Sequence, residues 1–242
     1  MNRANTAQAL VADHMISTAE IVINDTLAVC DPLGSLYLPD SDTLVVSDLH
    51  LETGAAYARR GMMLPPYDTA LTLTLLTSVI ERYRPARVVS LGDSFHDRRG
   101  ASALPEASQL QIRALMAGRE WFWIAGNHDP DHPDGLAGDC VQELYLDGLC
   151  FRHEPLENED ATGEIAGHLH PAARVVRRGK GVRRPCFATD GQRLIMPAFG
   201  VTTGGLNIRN AAFDGLFDLQ SLTAHLLGRE RIYSVPFGRL IG

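Results

Sequence analysis

Apolar and polar positions alternate through residues 20–30 and again through 34–38, interrupted at Asn24-Asp25 and Asp31-Pro32. Period-two alternation broken by turn-forming pairs predicts an opening antiparallel hairpin, with a further strand over 43–47. Leu71, Leu75, Leu76, Val79 and Ile80 then recur at helical spacing, which predicts a helix that starts near Asp68 and is stopped by Pro85. Residues 87–91 read as a short buried strand, 106–116 as a second helix, and 121–125 as a strand ending at Gly126. In open α/β sheets of this β-α-β-α-β order, ligands gather beyond the C-terminal ends of the strands.

Past Asn127 the period changes. Short apolar segments at 141–146, 149–153, 164–166, 173–176, 182–188 and 194–196 follow one another with turn signals and no helix between them. Strands in unbroken succession predict a second, largely antiparallel sheet packed on the first, with a site at the rim where the two meet. No Pro/Gly/Ser linker divides the chain, so one domain over 19–242 behind a flexible tail at 1–18 is the simplest organisation. Met15 offers a second start codon beside Met1.

Composition narrows the class. At 242 residues, 45% hydrophobic and 21% charged, the chain reads as an ordinary globular protein. It has no apolar run of about eighteen residues and no signal-peptide core near Met1, so neither membrane nor export is expected and the location expected is cytoplasmic. Cys30, Cys140, Cys150 and Cys186 are isolated, which excludes a C-x-x-C site and leaves reduced core cysteines.

A net charge of -7 argues against a protein that coats duplex DNA. That average conceals a basic strip. Arg174, Arg177, Arg178, Lys180, Arg183, Arg184, Arg193 and Arg209 face Asp190 alone between 171 and 209, giving +7 there and -14 elsewhere. Two readings stay open: a surface for a polyanion, or a solvated hairpin whose charges discourage strand pairing.

The candidate chemistry lies in a series of motifs holding six of the nine histidines. They are Asp48-Leu49-His50, Gly92-Asp93 followed by His96-Asp97, Gly126-Asn127-His128-Asp129, His153, and Gly167-His168-Leu169-His170. Carboxylate, imidazole and amide donors together suit Mn, Fe or Zn. Asp48 and His50 at a strand end would face the same way, and the two oxygens of Asp93 could bridge two cations. A D-x-H or a G-D is common by itself; both four-residue motifs in this order are not. The reading is a hydrolytic metalloenzyme.

These residues resemble the calcineurin-like metallophosphoesterases, whose pattern is D-x-H, G-D, G-N-H-D/E, H, G-H-x-H. The resemblance implies an α/β fold of two packed mixed sheets flanked by helices, an αββα sandwich. It implies one metal held by Asp48, His50, Asp93 and His170, and another by Asp93, Asn127, His153 and His168. His128 would protonate the leaving oxygen with Asp129 orienting or polarising it. Gly92-Asp93-Ser94-Phe95-His96-Asp97 is similar to the G-D-L-F-H motif of double-strand-break repair nucleases of the superfamily, with Ser94 in place of leucine, and implies that His96 contacts a non-bridging phosphate oxygen.

Wording along much of the chain is similar to the bacterial ligase-associated DNA damage response phosphoesterases. It includes Ser47-Asp48-Leu49-His50-Leu51-Glu52, Tyr57-Ala58-Arg59-Arg60-Gly61, Leu64-Pro65-Pro66-Tyr67-Asp68, Phe151-Arg152-His153-Glu154-Pro155, the run from Gly163 to Pro171, and Pro197-Ala198-Phe199-Gly200. That resemblance implies a two-metal, Mn2+-dependent phosphodiesterase and endonuclease acting on single-stranded or looped DNA in repair, associated with a ligase and helicase set. Arg59 and Arg60 would clamp flanking phosphates, and Tyr57 and Tyr67 would either stack on unpaired bases or pack internally. Alternatives are a small-molecule phosphodiesterase or pyrophosphatase, and a non-catalytic scaffold. The oligomeric state stays open, a homo-oligomer included.

Overall fold

The computed structural model describes residues 16–59, 61, 67–97, 100–157, 161–177 and 179–242. The opening alternation becomes β1 (Ala19–Ile23), β2 (Thr26–Cys30) and β3 (Leu36–Leu38), which pair antiparallel with one another and with β4 (Thr43–Val46). Beyond β4 the sheet is parallel, through β5 (Arg87–Leu91), β6 (Glu120–Ile124) and β7 (Asp139–Val141). The seven strands therefore lie in sequence order. Ser17, just ahead of β1, is tied by backbone hydrogen bonds to Glu230 and Ile232.

Helices α1 (Thr53–Arg59), α2 (Asp68–Tyr83), α3 (Gly100–Ala103) and α4 (Glu106–Met116) connect these strands. Helix α2 ends as its spacing and Pro85 predict. Arg84 turns left-handed at φ 47° and its N–H reaches Ile80 O, after which the proline ring cannot continue the helix. Asp31, fully buried, accepts from Tyr83 at 2.9 Å and pairs with Arg82, fastening this helix end to the β2–β3 loop.

The central strands are buried on both faces, as parallel strands between layers must be. Leu44, Val46 and Val88 face the helices, against Leu73, Leu76, Ile80 and Ile112. Their neighbours Val45, Val89 and Leu91 face the second sheet, against Phe151, Ile165, Phe187 and Leu194. The strand period of two thus separates one apolar run into two cores.

The second sheet contains β8 (Glu143–Leu146), β9 (Leu149–Arg152), β10 (Glu164–Ala166), β11 (Pro171–Arg177), β12 (Lys180–Thr189), β13 (Arg193–Ile195), β14 (Leu206–Asn207), β15 (Thr223–Leu227) and β16 (Ile232–Pro236). Its edges are largely antiparallel, but β9, β10 and β13 run parallel at its centre. The strand expected over 141–146 is divided at Gln142: β7 completes the first sheet and β8 begins the second. A continuous apolar segment cannot reveal that its two halves pair with different partners.

The outer face of the second sheet is covered by Ile208, Phe213, Leu216, Phe217 and Leu240, packed on Ala173, Cys186, Ala188 and Ile195. Among the described residues the outermost helical layer expected there consists of two 3-10 turns, Ala211–Phe213 and Phe237–Arg239. All four cysteines are free thiols.

Candidate metal centre

Every expected ligand follows the C-terminal end of a strand. Asp48 and His50 come after β4, Asp93 after β5, Asn127 after β6, His153 after β9, and His168 and His170 after β10. The two sheets present these ends at one rim. The loops after β4 and β5 are joined there: His50 N–H donates to Asp93 O at 2.9 Å and Leu51 N–H to Ser94 O at 2.9 Å. The loop after β13, which contains Pro197-Ala198-Phe199-Gly200, donates from Phe199 N–H to Ser47 O at 2.7 Å and from Gly200 N–H to Asp48 O at 3.1 Å.

The premise that Asp48 and His50 share a strand face is corrected by the backbone. Strand β4 ends at Val46, and both residues lie beyond it with left-handed φ of 52° and 45°. Asp93 (45°), His168 (65°) and His170 (45°) share that conformation. Non-glycine residues held there carry strain of order 1–3 kcal/mol each, and such strain persists only where surrounding contacts impose it. Here it turns five polar side chains inward at the ends of β4, β5 and β10.

Two groups result. Asp48, His50 and His170 place ligand atoms within 4.8 Å of one another, and so do Asp93, His153 and His168. Asp93 touches both groups, with Oδ2 3.9 Å from His50 Nε2 and 3.4 Å from His153 Nε2. Asn127 completes the second group, its amide oxygen 2.9 Å from His153 Nε2. All seven expected ligands are therefore brought together.

The donors fit cations better than they fit one another. His153 Nδ1–H donates to Leu91 O at 2.9 Å, which turns Nε2 toward the Asn127 oxygen and Asp93 Oδ2. That oxygen also faces the Asp93 carboxylate, so it sees only acceptors. His170 Nε2 lies 3.0 Å from Asp48 Oδ1, yet this buried oxygen lacks a hydrogen bond of proper geometry, as does buried His50 Nδ1. Oxygen and imidazole donors that converge in this way, with a proton on His153 for a cation to displace, are what a binuclear cation site requires. Asp48 Oδ2, by contrast, is satisfied by the Ser47 hydroxyl and by His168 N–H at 3.1 Å. Ser47, directly before the first motif, was not singled out in the sequence as part of the site.

Electrostatics follow from burial set against these contacts. Burial opposes the charge on Asp48, but the adjoining imidazoles of His170, His153 and His50 outweigh it and hold the pKa below the ordinary carboxylate value. Asp93 is likewise held at about 2, against burial, by His153, the His128 N–H and His50. Burial pushes His50 down to about 4 and, with the charge of His153, lowers His168. His153 goes the other way: burial is overcome by Asp93 and Asp48, which raise it to about 9. At neutral pH its ring is therefore protonated until a cation displaces the proton. Metal affinity is expected to rise with pH by up to about tenfold per unit until pH 9. Calorimetric titration with Mn2+ at pH 7 in buffers of different ionisation heat should show about one proton released, and no release would contradict this.

The expected non-ligand residues stand around the mouth. His128 donates its backbone N–H to Asp93 Oδ1 at 2.9 Å, and its exposed ring is fixed by an Nδ1–H donated to His96 O at 2.8 Å, leaving Nε2 3.9 Å from Asp93. The expectation that Asp129 orients His128 is corrected accordingly. Asp129 instead accepts from Phe95 N–H at 3.0 Å, tying the third motif to the second, and burial lifts its pKa to about 7. Its proximity also explains Gly126, where a Cβ would collide with the Asp93 backbone and lie 2.6 Å from Asp129 Oδ1.

His96 Nδ1 is 3.4 Å from the Thr53 hydroxyl, which itself donates to His50 O at 2.7 Å. Its ring centroid is 5.6 Å from both Tyr57 and His128. Arg59 is salt-bridged at 2.6 Å to Asp97, holding α1 against the segment after His96. Arg60 lies outside the described residues. Tyr67 is 66% exposed, away from any internal packing. Between these elements an open cleft of about 300 Å³ is lined by His50, Thr53, Tyr57, His96, His128 and His170, with residues 202–204 on its other wall.

Fold and site together define a hydrolase built for a pair of metal ions, a phosphoesterase that binds them at the rim of two stacked sheets. The chain belongs to the calcineurin-like phosphoesterase family, whose model matches residues 42–184 and so spans every candidate ligand. It is similar to the crystal structure of Pseudomonas putida nuclease MPE, with 26% identity and a TM-score of 0.69, over 90% of this chain and all of that one. Yfce, a phosphoesterase from E. coli, is 14% identical with a TM-score of 0.42, over 81% of this chain and 98% of that one. No curated protein matches the sequence.

Proposed function

We propose that the protein is an Mn2+-dependent phosphodiesterase that acts as an endonuclease on single-stranded or looped DNA in repair, within the cytoplasm and alongside a ligase and helicase set. Asp48, His50, Asp93 and His170 hold one cation; Asp93, Asn127, His153 and His168 hold the other. A bound cation pair supplies an activated water and neutralises charge that builds on the phosphoryl oxygens. His128, exposed and oriented by the His96 carbonyl, gives the proton to the leaving oxygen through Nε2. Asp129 keeps the two turns in register, and Arg59 holds the lip of the cleft by its pair with Asp97.

The observation that carries this reading is the place of His96 at the mouth, 5.6 Å from the His128 ring and beside Tyr57 in a cleft open to solvent. A monoester needs only the metals and one acid. A diester carries a second ester arm, and an imidazole at the mouth can orient it by contacting a non-bridging phosphate oxygen. The similar nuclease from Pseudomonas putida supports a nucleic-acid substrate.

His96→Ala is expected to reduce hydrolysis of bis-p-nitrophenyl phosphate on the order of a hundredfold, with a much smaller effect on p-nitrophenyl phosphate. Equal losses on both esters would contradict the role. The substrate itself is tested by incubating the protein with Mn2+ and circular single-stranded DNA. Circles left intact while 2′,3′-cyclic nucleotides are opened would favour the small-substrate reading.

A further inference from the structure

The basic strip falls on β11 and β12, and the structure shows which of its charges reach the cleft. Strand β11 starts at the residue after His170, so it leads directly away from the metal centre. Arg174 on β11 is opposite Arg183 on β12, so the two side chains share one exposed face. Ala172 lies on that same face, and over this small residue Arg183 extends back to donate to Gly205 O. Gly205 adjoins Gly204, which lines the cleft, and Leu206 N–H bonds to His170 O at 3.0 Å. The guanidinium of Arg183 is thereby set on the cleft rim. Arg174 donates to Gly242 O at 3.3 Å, with its guanidinium over Gly181, where a Cβ would come within 2.9 Å of it.

Ion pairing divides the arginines of the molecule. Arg59, Arg82, Arg87, Arg152 and Arg193 are each ion-paired with a carboxylate side chain. Among the described residues Arg183, like Arg113, Arg119, Arg184 and Arg209, bonds to backbone oxygens without an Asp or Glu partner, while Arg174 bonds to an oxygen of Gly242, the last residue. A carbonyl fixes a guanidinium without neutralising it, and most of its five N–H donors stay available. Beside the cleft Arg183 is therefore an oriented cation with no carboxylate side chain to offset it, and Arg174 stands next to it on the same face of a chain of net charge -7. Arg174, four residues beyond His170, lies roughly 13 Å along the strand from it, within reach of a strand whose scissile phosphate is at the metals.

We propose that Arg174 and Arg183 form a phosphate-backbone subsite that holds a nucleic-acid single strand as it leaves the cleft past His170. This rests on the reading of the substrate as a nucleic acid. The subsite grips phosphates without reading bases, so it confers preference for a strand over a dinucleotide and none for sequence. It also gives the acidic molecule one defined path for a polyanion, leading from the cleft that Tyr57 helps to line.

The test measures binding of a fluorescein-labelled twelve-nucleotide oligothymidylate to the full chain by anisotropy, without added metal, between about 0.05 and 0.2 M salt. Each phosphate contact on a single strand contributes about 0.7 to the slope of log Kd against log salt, so Arg174→Ala/Arg183→Ala should flatten that slope by about 1.4. Its Kd at the lowest salt should weaken at least roughly tenfold, while Arg183→Lys keeps the wild-type slope. Melting curves establish that each variant is folded, and the single variants Arg174→Gln and Arg183→Gln, each expected to flatten the slope by about 0.7, stand in if the double variant is not. An unchanged slope and Kd overturn the subsite. Wild-type cleavage of circles with unchanged variant binding overturns the subsite alone. Binding lost in the variants while wild type leaves circles intact overturns the endonuclease reading alone.

Discussion

Asp93→Asn is expected to lower phosphodiester turnover on the order of a thousandfold or more, more than the hundredfold typical of losing one electrostatic contact at a reacting centre. Asp93 is the ligand expected in both groups, and one of its oxygens reaches the Nε2 atom of a histidine in each, His50 at 3.9 Å and His153 at 3.4 Å. Its other oxygen accepts the His128 N–H at 2.9 Å. An amide keeps the shape but has one oxygen and no charge. It can neither bridge two cations nor offset their mutual repulsion, and it places N–H donors among lone pairs already short of protons. The same substitution removes the main partner that raises His153 to about 9. Initial rates on bis-p-nitrophenyl phosphate across an Mn2+ titration, with bound metal counted by mass spectrometry, check this. Two metals bound per chain with turnover within tenfold of wild type would rule out the bridging role.

Arg193→Met is expected to be the most damaging change away from the metals, destabilising the fold by about 3–5 kcal/mol. Arg193 and Glu164 are 3% and 1% exposed and meet at 2.7 Å. Arg193 also donates to Leu216 O and Leu156 O, both at 2.8 Å, while Glu164 is ion-paired with Arg152 at 3.2 Å and accepts from Leu156 N–H at 3.0 Å. Removing the arginine leaves a buried carboxylate with one ionic partner in place of two, and burial already lifts the pKa of Glu164. For a chain of this length the loss corresponds to a fall in Tm of roughly 6–20 °C. Changing both residues, Glu164→Met with Arg193→Met, should recover much of it, because no uncompensated charge is then left buried. A double variant less stable than the single one would show that the pair is not the cause.

The network also joins β9, β10 and β13, and the site depends on that junction. Arg152 immediately precedes His153, and Glu164 lies on the strand that delivers His168. Weakened Mn2+ affinity in the Arg193 variant below its melting range would follow from looser strand ends.

The elements legible in the sequence were those with a strong local period. Helix α2 and strand β5 have the predicted bounds, because Leu71 to Ile80 at helical spacing and the apolar run over 87–91 each have one sensible partner geometry. Strands β14, β15 and β16 were not anticipated, since a two-residue strand, a strand buried at four of its five positions and a half-exposed one carry little alternation to read. The break at Gln142 was hidden because pairing is a property of two segments at once.

Much of the site was legible for a different reason. Metal ligands are restricted to a few side chains, and the turns that present them require Gly or Asn at fixed places, so Gly92-Asp93, Gly126-Asn127-His128 and Gly167-His168-Leu169-His170 survive as short words. What those words could not give is direction. Five of the seven expected ligands depend on left-handed backbone, and that conformation is imposed by distant contacts such as Gly200 N–H to Asp48 O. His128 is oriented by a carbonyl 32 residues away in sequence, a partner with no side-chain identity to notice. Arg174 and Arg183 were two among eight basic residues until strand register put them on one face beside His170.

The sequence by itself therefore determined the chemistry, that is, which donors exist and in what order, because ligand types and helix or strand periods are local properties. The tertiary structure alone decided which donors share a cation, which histidine faces the mouth and which charges adjoin the cleft, because these depend on distances between chain segments more than a hundred residues apart, as for His50 and His170.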